Sequence, residues 1–537
     1  MTPIEHREIV VMGGGLAGLT LALQLKRRHP DLDIQVIERR AHPVPEAAHK
    51  IGESSVEIAA HYFSEVLGMK ELLKEQQLKK FGFRFFFSDG QSDLASVTEL
   101  GASTFLPTGS WQIDRGIFEN SLGKLVRDCG VRFSDSAMIR EFTVAQNEEP
   151  HQIVFEQDGI RHELRSRWLI DASGRAGLIK RKLGLADANS HEGNAVWFRI
   201  AERINVDDWS DDAEFLSRCD PPHRWLSTIH LVGEGYWVWL IPLASGSHSV
   251  GIVCDPNLHP IERMSTFEAA MQWLSVHQPK LHSVLDGKRD KLQDFAFFKQ
   301  FSYGCKKVFS GSDRWAMTGE AGVFLDPFYS PGSDFIAFAN TFITEMVTQD
   351  RAKRPVDMYA SIFERTYLAL YDGMLPLYSG QYGLFRDAEI LPIKVIWDYT
   401  FYWGIMCPLF FQNKLVDISA MGRITRRIET VQRINVAVQS LLRRWGEMGV
   451  NANPRRMIDQ ASLPWFAELN RGLTDKLDNQ QFDDRLDQSV AQLEQLADEI
   501  VQRALTAQPA LDVSEVSRLV KRGQSSGKEP MLFALAA

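Results

Sequence analysis

Near its start the chain carries a short apolar run, Glu8-Ile9-Val10-Val11-Met12, whose pattern predicts a buried strand. The run passes directly into Gly-Gly-Gly-Leu-Ala-Gly and then into Leu-Thr-Leu-Ala-Leu-Gln-Leu, which has helical spacing. A second apolar run, Ile34-Gln35-Val36-Ile37, predicts the next strand and ends at Glu38. Further on, Phe81 to Phe87 reads as a strand with alternating or double-sided burial. Phe118, Leu122 and Leu125 predict a helix that begins at Arg115 and leads to a strand. Other apolar strands run into Asp171 and into Gly319. In Gly-Tyr-Trp-Val-Trp-Leu-Ile-Pro, residues 235 to 242, side chains two apart share one face of a strand, so Trp237 and Trp239 form an aromatic wall. Beyond Asp350 the pattern turns helical. Leu486, Val490, Leu493, Ala497, Ile500 and Ala504 form one stripe at spacings of three and four. Arg522 to Pro530 predicts a flexible linker before an apolar tail, Met531 to Ala537.

Composition narrows the class. With 537 residues, 44% hydrophobic and 24% charged, the chain is a globular protein of more than one domain. A net charge of -9 is modest for this length and argues against a nucleic-acid binder, which needs a basic face. The five cysteines have neither metal-ligand nor disulfide spacing, so no metal site is expected, and their sparseness fits a reducing compartment. The N-terminus lacks the features of a signal peptide, and the most apolar segment, Tyr399 to Asn413, is too short to span a bilayer. The expected location is cytoplasmic.

The glycine turn supplies the first chemistry. Gly13, Gly15 and Gly18 occupy the GxGxxG positions that allow a tight turn, close approach to a pyrophosphate, and close helix packing. Leu16 and Ala17 complete the loop, and the helix start provides amides for phosphate. Glu38, followed by Arg39, is placed to accept from a ribose diol, which favours FAD or NAD over NADP. Arg115, then Asp171, then Gly319, Glu320 and Asp326 follow in the order of the flavin-contacting segments of FAD-dependent aromatic hydroxylases, which these segments resemble. No second dinucleotide motif is present, so reduced flavin is expected from elsewhere.

Trp-Val-Trp-Leu-Ile-Pro matches the WxWxIP signature of flavin-dependent halogenases, and its continuation, with Ser249-Val250-Gly251, is similar as well. The segment His49-Lys50-Ile51-Gly52-Glu53-Ser54-Ser55 and the later Lys79-Lys80 with its phenylalanines resemble the halogenases acting on phenols and pyrroles. The resemblance implies that Lys80 is the catalytic lysine, with Lys79 the fallback, and that Glu53, Trp237 and Trp239 belong to the catalytic set. It also places halide at Ser330, Gly332 and Ser333, ahead of a helix. Pro331 removes one amide donor there, and Glu320 replaces a shorter aspartate. Tyr329 stands where tryptophan halogenases carry a glutamate, which points away from free tryptophan as substrate. The resemblance covers residues 5 to 345.

The fold so implied is α/β with an α+β substrate region. A Rossmann-like FAD-binding domain of the aromatic-hydroxylase type spans 1–185 and is completed by 300–350. A mixed sheet bearing the tryptophans spans 186–299, and a helical extension spans 351–537. The function implied is two-component halogenation in secondary metabolite biosynthesis. FADH2 from a flavin reductase partner and O2 oxidise chloride or bromide to hypohalous acid, which the wall keeps separate from the substrate and which Lys80 directs to an electron-rich aromatic. That aromatic is a phenol, a pyrrole or a relative, either free or on an acyl or peptidyl carrier protein. Around Trp397, Tyr399, Tyr402, Trp403, Phe410 and Phe411 the chain reads as core between helices or as a cap on the substrate. Two other functions remain open: an FAD-dependent aromatic monooxygenase, and an inactive flavoprotein that serves as a binding partner.

Overall fold

The computed structural model describes residues 4–47, 51–449, 453–520 and 529–533. His49, Lys50, most of the expected linker after Arg522 and the last four residues of the apolar tail lie outside them. The chain divides into two compact units, one of Met1–Gln77, Ile113–Ser190 and Ser302–Tyr371, the other of Leu78–Gln112, His191–Phe301 and Asp372–Ala537.

In the first unit the strand Glu5–Met12 is central. It pairs in parallel with Ile34–Ile37 on one side and Ile160–Asp171 on the other, with Val11 opposite both Val36 and Ile170. The strands Arg132–Ser134 and Trp315–Met317 extend the sheet in parallel on its two flanks. Ile9 to Met12 are fully buried, as continuous apolar runs in parallel sheets are when helices cover both faces. The helices Leu16–Arg28, Arg115–Asp128 and Gly332–Arg351 provide cover, the first packing on the other two. Parallel pairing brings the carboxyl ends of three strands together, so Gly13, Glu38 and Asp171 emerge at one edge, where open α/β sheets bind ligands.

The second unit is built on an eight-stranded sheet. Its order is Leu292–Phe298, Asn194–Ile200, His248–Cys254, Tyr236–Pro242, Thr228–Gly233, Phe83–Phe86, Glu99–Gly101 and Met457–Asp459. This corrects the boundary expected from sequence for residues 78–112. Phe83–Phe86 is not part of the nucleotide sheet, because it pairs with Thr228–Gly233 and Glu99–Gly101. Residues 351–371 also group with the first unit rather than with the helical extension.

The period of two separates the faces of this sheet. Val196, Phe198, Leu231, Val238, Leu240, Val250 and Ile252 belong to a hydrophobic core shared with Met271 and Leu274 of the helix Phe267–His277. Trp197, Arg199, His230, Trp237, Trp239, Ser249 and Gly251 have the opposite parity. The helical extension includes Ile418–Met448 and Asn479–Ala507. The latter opens with a capping box between Asp478 and Gln481 and buries Leu486, Leu493, Ala497, Ile500 and Ala504 of the expected stripe. Met531 and Leu532 of the tail are buried, their amides donating to the Glu499 carboxylate at 2.8 and 3.0 Å.

Candidate functional site

The glycine loop distinguishes its glycines by what a side chain would meet. Gly13, at φ +118°, would bring a Cβ within 2.3 Å of the Ala172 carbonyl oxygen, and Gly18 within 2.0 Å of the Gly13 oxygen. Packing alone therefore demands both. Gly15 would meet nothing within 4 Å, so the space beside it is open, as a bound diphosphate requires. The first intrahelical bond runs from Leu19 N to Gly15 O at 3.0 Å. The amides of Leu16, Ala17 and Gly18 thus have no carbonyl within the helix and carry its positive dipole end. These residues fit the diphosphate of FAD.

Glu38 has a role the sequence did not indicate. Its carboxylate accepts from Gly14 N at 2.6 Å and from Arg40 N at 2.8 Å, which fixes the glycine loop. Arg39 is exposed next to it. Arg115 begins its helix and donates Nε and Nη2 to Oε1 of the buried Glu119, and Nη1 to the Ile51 carbonyl at 2.7 Å. Glu119 holds this guanidinium and was missed in the sequence, although it lies one helical turn beyond Arg115. Glu53 is buried, and its carbonyl accepts from Ile113 N. Asp171 is buried as well and accepts from Ser173 N at 3.0 Å and Ile179 N at 2.7 Å, so it braces its own loop. Burial raises its pKa.

Gly319 adopts φ +62°, and a Cβ there would come within 3.0 Å of the Ala17 side chain. Glu320 follows it, half-buried. Burial raises its pKa, opposed by Arg175, Arg115 and Lys180. Asp326 is buried and accepts from Phe328 N at 2.8 Å. Beneath these loops Asn340 is a buried hub. It accepts from the Thr318 hydroxyl at 2.7 Å and donates to Ala17 O, Thr20 Oγ1 and Tyr62 Oη at 3.0–3.2 Å. It ties the glycine-loop helix to the Gly319 turn, and nothing in the local sequence singles it out.

At the expected halide position Pro331 is the residue ahead of the helix Gly332–Arg351, and Phe335 N donates to its carbonyl at 3.1 Å. The amides of Gly332 and Ser333 begin the helix after the proline, whose ring supplies no N–H of its own. A Cβ at Gly332 would meet nothing within 4 Å. Ser330 differs from the expectation of a row of amides. Its N–H donates to Pro327 O at 2.9 Å, which leaves its hydroxyl as the group it can offer. Asp334, also missed, sends its carboxylate to Ala59 N at 2.9 Å and joins this helix to Glu57–His61, which follows the Gly-Glu-Ser segment.

The aromatic wall lies in the second unit. Trp237 and Trp239 are 1% and 2% exposed, with ring centroids 5.7 Å apart. Trp239 Nε1 donates to Ser249 Oγ at 3.1 Å, and the indole lies over Gly251, where a Cβ would be 2.1 Å from the ring. On the strand Leu78–Lys80 the two lysines have opposite environments. Lys79 is exposed, while Lys80 is 2% exposed with Nζ 3.5 Å from the Phe83 centroid. That ring packs edge-on against His230 at 5.3 Å, and His230 lies 5.0 Å from Trp237. Tyr399 approaches Phe83 at 6.2 Å and packs on Trp403 at 4.5 Å. The aromatic segment of the helical extension therefore touches the ring that carries Lys80, and Trp403 sits in a π-helical turn, Tyr402–Met406.

Among the described residues no group of three or more His, Cys, Asp or Glu could hold a metal ion, and no helix is long and apolar enough to cross a membrane.

Residues 6–270 match the family model described as an FAD binding domain. A flavin-dependent halogenase of Dictyostelium discoideum is 25% identical over 447 residues, covering 76% of this chain and 71% of that protein. The 1H-pyrrole-2-carbonyl-[peptidyl-carrier protein] brominase of Pseudoalteromonas luteoviolacea is 24% identical over 341 residues, covering 62% of this chain and 75% of that one. In fold, the halogenase PltM solved with phloroglucinol and FAD superposes with a TM-score of 0.66 at 15% identity, over 96% of this chain and 99% of the other. Residues 6–270 thus match an FAD binding domain, and the chain is similar in sequence to flavin-dependent halogenases and in fold to solved ones.

Proposed function

We propose that the protein is a two-component halogenase that takes FADH2 from a separate flavin reductase and halogenates an electron-rich aromatic through hypohalous acid and Lys80. The observation that carries this reading is the burial of Lys80. It is buried on Phe83, on the aromatic face that also bears Trp237 and Trp239, while its neighbour Lys79 faces solvent.

When bound and reduced, FAD supplies the electrons that convert O2 and halide to hypohalous acid. Gly13, Gly15, Leu16, Ala17 and Gly18 hold its diphosphate, and Glu38 and Arg39 its ribose. Arg115, Asp171, Gly319, Glu320 and Asp326 shape the flavin side, and Glu53 braces the loop ahead of Arg115. The amides of Gly332 and Ser333, with the Ser330 hydroxyl, offer halide a helix start. Trp237 and Trp239 exclude water and organic substrate with indole surface, leaving a small neutral oxidant to pass. Lys80 then makes the halogen electrophilic, as an ammonium that donates a hydrogen bond or as an amine that carries the halogen.

The relatives suggest the substrate class. One acts on a pyrrole held on a carrier protein, and a structural neighbour binds phloroglucinol, a phenol. An electron-rich ring beside Phe83 and Tyr399 fits both. The test is Lys80→Ala, assayed with reduced FAD, O2, bromide and phloroglucinol. Loss of brominated product with unchanged FAD affinity supports the reading, and product at the wild-type rate overturns the role of Lys80.

A further inference from the structure

The segment Ala172 to Ala186 follows the strand that ends at Asp171 and holds Arg175, Lys180, Arg181 and Lys182 with no acid among them. Lys306 and Lys307 lie in Ser302 to Ser310, which again contains no acid. The fold joins the two segments. Ala186–Asp187 pairs with Gly304–Cys305, and Lys306 N donates to Leu185 O at 2.9 Å. Arg181, Lys182 and Lys306 are exposed. Lys180 lies inside, its Nζ 4.1 Å from the centroid of Tyr303, whose hydroxyl donates to Glu320 O at 2.8 Å. Lys180, Arg181, Lys182, Lys306 and Lys307 form no ion pair among the described residues. In the same unit, by contrast, Arg167 pairs with Asp350, Arg351 with Glu8 and Arg140 with Glu156. Of the acids nearby, Asp187 is exposed on the joining strand, and Glu364 accepts from Val308 N and Phe309 N at 3.0 and 3.1 Å. Like charges without partners repel one another and oppose folding. Packing therefore gives no reason to gather these cations, which form a positive field on a chain of net charge -9.

This basic face borders the glycine cradle. A Cβ at Gly13 would collide with the Ala172 carbonyl, the turn Gly174–Ala176 packs on Gly319–Ala321, and Gly319 in turn abuts Ala17. The cradle itself holds a diphosphate with amides. It has no lysine or arginine from Gly13 to Leu25, while Glu38, Asp171 and Glu320 stand around it. A diphosphate dianion approaching from water is thus repelled by the chain as a whole and by the acids at the cradle, and attracted by one adjoining face. We infer that this face is a capture surface for the flavin diphosphate, which draws free FADH2 from solution to the glycine cradle. The inference rests on the two-component reading above, in which flavin arrives unbound, since a flavin that never leaves needs no such field. Attraction of this kind raises association rates by about 10–10³-fold. It fades with salt, as the Debye length shrinks from about 30 Å at 0.01 M to about 8 Å at 0.15 M. Exposed cations act on the approaching flavin, so they govern the association rate and leave the dissociation rate unchanged.

The test follows binding of FAD, which carries the same diphosphate as FADH2, to the flavin-free full chain by stopped-flow flavin fluorescence across that salt range. A charge-reversed variant combines Arg181→Glu, Lys182→Glu and Lys306→Glu, and a neutral variant combines Arg181→Gln, Lys182→Gln and Lys306→Gln. A control places the same charge reversal on the second unit with Arg426→Glu, Arg433→Glu and Lys476→Glu, all exposed positions. The wild-type association rate is expected to fall about tenfold with salt. At low salt the charge-reversed variant should associate about tenfold more slowly than wild type, with the neutral variant between them and the control near wild type. All four should release FAD at one rate. Wild-type association in the charge-reversed variant, equal slowing in the control, or a wild type indifferent to salt would each overturn the capture surface while leaving FAD binding intact. If that variant bound FAD normally yet accepted reduced flavin slowly from an added NADH-driven reductase, the face would dock an acidic protein and capture would be overturned. FAD that wild type never exchanges would overturn the two-component reading and the capture surface with it.

Discussion

Gly251→Ala tests the wall at its tightest contact. The added methyl would stand 2.1, 2.2 and 2.3 Å from three atoms of the Trp239 indole, distances no carbon pair sustains. The backbone offers little relief, because Gly251 is paired with Trp197 on one side and Trp239 on the other. The indole must withdraw, and its bond to Ser249 Oγ at 3.1 Å goes with it. Overpacking of this kind costs about 1–3 kcal/mol, and the lost hydrogen bond adds about 1 kcal/mol. In a domain of this size each kcal/mol lowers Tm by roughly 2–4 °C, so a fall of about 5 °C or more is expected by calorimetry on the flavin-free protein. Ser249→Ala, which removes only the hydrogen bond, should give a smaller fall. FAD affinity should be unchanged, since the glycine cradle is in the other unit, while brominated product should decrease because Trp239 no longer occupies its place. A Gly251→Ala protein with wild-type Tm and product yield would refute the reasoning, because the indole could not then lie over Gly251.

Other predictions follow from buried polar groups. Asn340→Leu strands the Thr318, Thr20 and Tyr62 hydroxyl partners and should destabilise the first unit by about 3 kcal/mol while weakening FAD binding, both measurable by titration and thermal unfolding. Glu99 is fully buried and accepts from Arg84 and Arg224, so Glu99→Gln leaves guanidinium charge uncompensated and should cost about 3–5 kcal/mol in urea unfolding. Burial, with Arg203 nearby, lowers the His248 pKa from 6.5 to about 3. The unfolded chain therefore binds the extra proton first, and stability is present above pH 6.5 and lost as pH falls towards 3, by roughly 1.4 kcal/mol per pH unit. His248→Gln should flatten the urea midpoint between pH 6.5 and 5, and an unchanged slope would show that His248 does not govern it.

The features legible in the sequence are those carried by local pattern. Gly13, Gly15 and Gly18 are readable because strand, turn and helix are contiguous, and the tryptophan wall because a strand repeats every two residues. The same period separates Lys79 from Lys80, though only the structure shows which one is buried. What escaped reading depends on contacts far apart in the chain. Met457–Asp459 pairs with Glu99–Gly101 across more than three hundred residues, and Phe83–Phe86 joins Thr228–Gly233 rather than the nucleotide sheet. Asn340 and Asp334 sit on a helix face where neither periodicity nor motif marks them. The helical extension carries the Tyr399 contact to Phe83, which composition suggested only as one of two readings.

The central claim is that reduced flavin, oxygen and halide produce an oxidant that Lys80 delivers to a ring. The most direct measurement mixes protein loaded with chemically reduced FAD into oxygenated buffer containing phloroglucinol and a 1,3-diketone trap for hypohalous acid, with bromide, with chloride or with neither. Mass spectrometry then identifies what was added to each compound. The account predicts halogenated phenol that rises saturably with halide in wild type, and in Lys80→Ala halogenated trap without halogenated phenol. Oxygen inserted into the phenol at a rate indifferent to halide would contradict it and identify a monooxygenase.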